Sequence, residues 1–153
     1  LPASRPGQLN IRISMIHALD HLNQLAVVVK NNLEPSLLIG EQRLQEPKRT
    51  VLEMVETAAA SLHRHAPAAE RDKLQRLSLT LAERRRAERA ALLEESAHGT
   101  VEPGRALHTL DGLRWLDAVG YHTWRATHHL STEANEAGDD GEDASNQEEF
   151  RAD

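Results

Sequence analysis

Residues 108–130 read HTLDGLRWLDAVGYHTWRATHHL, and this stretch decides how the rest of the chain is arranged. It holds both tryptophans, the single tyrosine and four of the nine histidines. At about 100° per residue, Ala106, Leu110, Leu113, Asp117, Gly120, Trp124 and Thr127 share one side of a helix. Asp117 therefore stands inside an apolar seam, where a carboxylate rarely goes without a partner. Three readings are open for it. It is a buried polar group bonded to a neighbouring tyrosine, histidine or arginine, a metal ligand completed from another helix, or a residue at the edge of a slightly rotated seam. Tyr121, four residues on, is the nearest donor in the same helix, so Asp117 and Tyr121 form the expected buried polar pair of positions.

Working outward, the N-terminal part predicts a first helix from Asn10 or Ser14, both good N-caps. Met15, Leu19, Leu22, Ala26, Val29 and Leu33 step by four and three, a heptad seam expected to face the core. Pro35 ends the helix. Opposite that seam lie His17, Asp20, His21 and Gln24. His17 and His21 are four apart, a spacing that lets two imidazoles reach one metal ion. The alternative is a polar outer face that contains histidines.

Residues 35–46 read as a connector with an apolar patch at Leu37, Leu38 and Ile39. Pro47 suits the first turn of a second helix, with Val51, Val55, Ala58 and Leu62 as its inner stripe, widened by Leu52 and Ala59. Pro67 opens a third and longest helix along Leu74, Leu77, Leu81, Glu88 and Leu92, and Gly99 is a natural residue to stop it. Arg84, Arg85, Arg86 and Arg89 alternate with Glu83 and Glu88. This reads as a solvated, salt-bridged face; a phosphate site is the alternative.

One domain is the expectation for 153 residues. Aromatics are 3% and cysteine is absent, which points to helices and excludes disulfides and thiolate metal sites. The longest apolar run, Leu25 to Val29, is far short of the roughly 20 residues that cross a bilayer. The chain opens on Leu, and so reads as a piece of something longer. From Glu133 onward nine acidic residues stand against one arginine, whereas the preceding 132 residues carry a net charge of +2. A nucleic-acid partner, which needs a basic face interleaved with aromatics, is not expected. The fold expected is all-α, an antiparallel up-down bundle of four helices. Its boundaries are a flexible leader at 1–8, the bundle at 9–131 and a disordered acidic tail at 132–153.

The outer two helices, ISMIHALDHLNQLAVVVKNN and ALHTLDGLRWLDAVGYHTWRATHHL, resemble the PhoU-like C-terminal cytosolic domain of bacterial Na/Pi cotransporter family proteins. The likeness covers about residues 9–131 in architecture and is most specific over LDGLRWLDAVGYHTWR. It implies a parent that moves sodium with phosphate through N-terminal membrane spans. This chain would be the regulatory appendage, at the cytoplasmic side of the bacterial inner membrane and not itself inserted. The implied partners are the membrane-spanning portion of the parent chain or a regulatory protein; a homodimer of the chain is a separate expectation. PhoU-type bundles bind metal clusters through a carboxylate, three residues, then aspartate. Here His17 and His21 replace carboxylates and Tyr121 follows Asp117.

Three functions follow as expectations. The first is a non-enzymatic regulatory domain with no cofactor, working through helix faces in phosphate transport. The second is a free-standing helical interaction protein. The third is a metal-binding carboxylate and histidine bundle, holding a divalent or iron ion through His17, Asp20, His21 and Asp117. The two Glu-x-x-His pairs on facing helices that di-iron bundles require are not present. Nucleophile-elbow, P-loop and zinc-protease motifs are also absent.

Overall fold

Helix boundaries follow local chemistry along most of the chain. The computed structural model describes residues 6–31, 35–63 and 68–131, and these form α1 (Pro6–Lys30), α2 (Pro35–Gly40), α3 (Gln45–His63), α4 (Ala68–Ala97) and α5 (Pro103–Ser131). A short 3-10 turn, Gln42–Leu44, leads into α3. No strand occurs among the described residues. The helix-rich composition is thus expressed as an all-helical fold. The acidic tail at 132–153 and the first five residues of the leader lie outside the described residues. Residues 6–8, expected in the leader, are helical, because Pro6 fits the first turn of a helix.

The start of α5 is capped by Glu102, whose carboxylate accepts the backbone N–H groups of Gly104 and Arg105, both at 2.8 Å. Those two bonds hold its carboxyl below the usual carboxylate range. Pro103 follows in the position where a missing N–H costs nothing. At the other junction Gly99 takes φ +73°, and Thr100 N–H returns to the Glu95 carbonyl at 2.9 Å. A side chain is strained in that left-handed conformation, so glycine ends α4 there.

Packing is centred on α5. From Gly112 to Thr127 nearly every one of its residues is buried or half-buried, because α1, α3 and α4 each lie against it. Leu44, Met54, Leu74, Leu92 and Leu116 make up the fully buried apolar centre. The stripe of α3 is rotated from expectation: Val51, Met54, Ala58 and Ser61 face inward, while Leu52, Val55 and Leu62 are exposed. On α4 the inner line runs Leu74, Ser78, Leu81, Arg85 and Leu92.

The largest departure concerns α1, which packs chiefly on α5 and shows the core the opposite face from the one expected. Ala18 and His21 are buried, and Leu25 and Val28 pack against the core. Met15, Leu19, Leu22 and Val29 of the heptad seam point outward. Imidazole scores as polar in a periodicity reading, yet it packs well when its nitrogens find partners. The surface that α5 offers α1 supplies such partners, as described next.

Candidate functional site: a histidine seam and a buried ion pair

His17 and His21 on α1 meet His122 and His129 on α5. His21 Nδ1 lies 3.1 Å from His122 Nδ1, so one ring donates and the other accepts. His129 stacks on His17 at 5.1 Å and on His21 at 5.7 Å between ring centroids. Tyr121 closes the cluster edge-on to His21 and to His122. Burial, with the neighbouring His21 second and only partly offset by Asp20, pushes His122 down to about 4. Arg125 is buried beside Trp124, its guanidinium carbon 5.1 Å from the ring centre. Its Nη2 donates to His129 Nε2 at 3.2 Å, since a guanidinium has no acceptor. Trp115 Nε1 donates to the Val28 carbonyl at 2.9 Å and fastens the other end of α1.

Asp117 serves a different junction. It is 2% exposed and accepts a 2.8 Å hydrogen bond from Arg85 Nε of α4. His122 and His129 are five and twelve positions further along α5, which places them about 120–140° round the helix from Asp117. The carboxylate faces α4 and the imidazoles face α1. The four residues expected to share a metal are thus not brought together: Asp117 goes to Arg85, Asp20 is exposed, and only His17 and His21 join the histidine seam. Among the described residues no group of three or more His, Asp or Glu is arranged to hold a metal ion.

Arg85 corrects the reading of the arginine-rich segment. Arg84 does lie at the surface, pairing with Glu46 at 2.5 Å, but Arg85 turns into the core. Its place was legible in the α4 spacing Leu74, Ser78, Leu81, Arg85. Arg43 also escaped the sequence reading. From the turn before α3 it reaches Glu88 at 2.9 Å and Glu95 at 2.7 Å on α4. The one Glu-x-x-His spacing in the chain, Glu95 and His98, is engaged locally, with Glu95 on Arg43 and His98 Nδ1 against the Glu94 carbonyl. His122 and His129, seven apart on one helix face, were the signal for the seam that a search for metal spacing passed over.

Close approach of three helices completes the site. A Cβ on Gly120 would stand 2.6 Å from Leu81 Cδ1 of α4 and 3.3 Å from Met54 Sδ of α3. Chemically, the histidine seam joins two helices through one imidazole–imidazole hydrogen bond and stacked rings, and the Asp117–Arg85 pair fixes a third.

No protein-family model, no curated protein and no solved structure matches this chain.

Proposed function

We propose that the chain is a non-enzymatic regulatory domain of a sodium-dependent phosphate transporter, acting through contacts made by the outward face of α1. The observation that carries this reading is the division of α1 into two working faces. One holds α5 through histidines, and the other presents Met15, Leu19, Leu22 and Val29 to the outside. A face of that size serves contact. The residues that resemble the PhoU-like domain, from Leu110 to Arg125, form the central helix against which the other long helices pack. The likeness therefore resides in the scaffold that positions α1. An antiparallel, PhoU-like order of the four long helices belongs to the same proposal, as does a place at the cytoplasmic side of the inner membrane. No helix among the described residues is long and apolar enough to cross a membrane, so transport is assigned to another part of the parent.

The test is sodium-dependent uptake of labelled phosphate by cells that express the full gene product, with and without Leu19→Glu. The reading expects uptake that requires sodium and the gene, with a rate or KM altered several-fold by the variant at equal abundance. Uptake no different from cells lacking the gene would overturn it and leave a helical interaction protein unrelated to phosphate.

A further inference from the structure

α1 is covered on one side only. Its outward residues Met15, Leu19, Leu22, Ala26 and Val29 are spaced by four and three, a repeat of 3.5 residues carried over two heptads. Such a repeat keeps its side chains facing a second helix, where each knob enters a hole between four residues. Helices that lie on lipid instead carry lysines and arginines along their polar face. From Ile13 to Val29 this helix has neither, and Asp20 is its sole charged residue. A strongly acidic or basic partner would find only Asp20 there to meet, whereas a nearly neutral stripe matches another of its kind.

Area points the same way. Nine large apolar side chains of α1 are each 39% to 65% exposed. Five of them, Ile11, Met15, Leu19, Leu22 and Val29, lie within about 40° of the stripe, and the other four stand about 100–160° round the helix. The five leave several hundred square ångströms, enough for a contact smaller than the ~800 Å² per partner of a standard interface. An apolar patch of that size on a protein surface often marks a contact site. The chain's own segment at 132–153 cannot supply a matching stripe, since Phe150 is its one large apolar residue.

We infer that the occupant is a second copy of this chain, its α1 laid along the first across a two-fold axis. The inference rests on the outward face of α1 being the contact surface, and it names the partner. An isologous contact of this kind uses each exposed residue twice, so one stripe suffices for both copies. The regulatory unit is then a pair of domains joined through their first helices, with the histidine seams behind the interface.

Sedimentation equilibrium of the 153-residue chain from about 1 to about 100 µM tests this. The expected result is a mass that rises from the 17.0 kDa of one chain toward twice that value. Leu19→Glu should weaken association at least about tenfold, because the charge enters the interface twice. The chain lacks cysteine, so single cysteines report cleanly. At least one of Leu19→Cys, Leu22→Cys and Ala26→Cys should oxidise to a covalent dimer far faster than the exposed control Glu56→Cys. A monomeric mass throughout, with no cysteine on α1 faster than the control, overturns the pairing. So does a dimer indifferent to Leu19→Glu. A monomer that co-floats with phosphatidylcholine vesicles through α1 also overturns the pairing, while leaving the outward face a contact surface. The phosphate-uptake result is independent of all three.

Discussion

Arg85 Nε donates to Asp117 Oδ2 at 2.8 Å, and this bond ties α4 to the central helix from inside the core. The side chains are 9% and 2% exposed. Two desolvated charges offset each other only while both are present. Asp117→Ala therefore takes the carboxylate away from a buried guanidinium and should cost ~3–5 kcal/mol in chemical denaturation. Replacing the pair together, by Arg85→Met with Asp117→Leu, should recover most of that loss, because similar volume is restored without a buried charge. If the single and double variants unfold at the same midpoint, the pair is not the reason that Asp117 sits in the seam.

Gly120 marks where three helices come closest. A methyl group there meets Leu81 Cδ1 at 2.6 Å, and Leu81 is itself buried. Gly120→Ala gains about 1 kcal/mol of helix propensity but overpacks a filled core at ~1–3 kcal/mol. The expected net effect is a loss of about 1 kcal/mol, with a clear non-additive gain when Leu81→Ala is combined with it. Additive behaviour in that double-mutant cycle would mean that the helices part easily at this point.

His122 gives stability a pH dependence of known sign. Its folded value is pushed down to about 4 from 6.5, mainly by burial. The unfolded ring thus takes up a proton first as pH falls. The stability contributed by the neutral ring is complete above about pH 6.5, drains between 6.5 and 4, and falls no further below 4. Screening of this partly exposed ring limits the effect to on the order of 1–2 kcal/mol. Urea unfolding at pH 7 and pH 5 should show a larger loss for the native chain than for His122→Gln. Equal losses would place the titration elsewhere. The groups around the ring are His21 and Asp20 of α1 and Tyr121 of α5.

How far the sequence could be read depended on whether a face was unambiguous. On α5 one stripe, Leu113, Asp117, Gly120 and Trp124, recurs at helical spacing and all four are buried, although helices on three sides bury most of its other residues as well. On α3 two adjacent stripes differ by one column of residues, and Met54 decided between them where Val55 had been expected. On α1 the better heptad was the outer one. Periodicity reports that a helix has an apolar face, but not which neighbour covers it. The face that α5 turns toward α1 is built of imidazole and indole, which prefers matching rings to aliphatic side chains. The inward turn of Arg85 was hidden by its charged neighbours in sequence, although its spacing along α4 placed it on the buried line.

Everything proposed for function depends on which way α1 faces, and two adjacent residues separate the alternatives. Ala18 is 1% exposed against α5, and Leu19 is 63% exposed on the outer side. Urea unfolding of Ala18→Glu and Leu19→Glu, at chain concentrations below about 1 µM so that association does not contribute, measures the orientation directly. The account predicts that Ala18→Glu loses at least ~3 kcal/mol by burying an unpaired charge. Leu19→Glu should stay within ~0.5 kcal/mol of the native chain. The reverse ranking, with Leu19→Glu destabilising and Ala18→Glu tolerated, would turn the heptad seam back into the core and contradict the account.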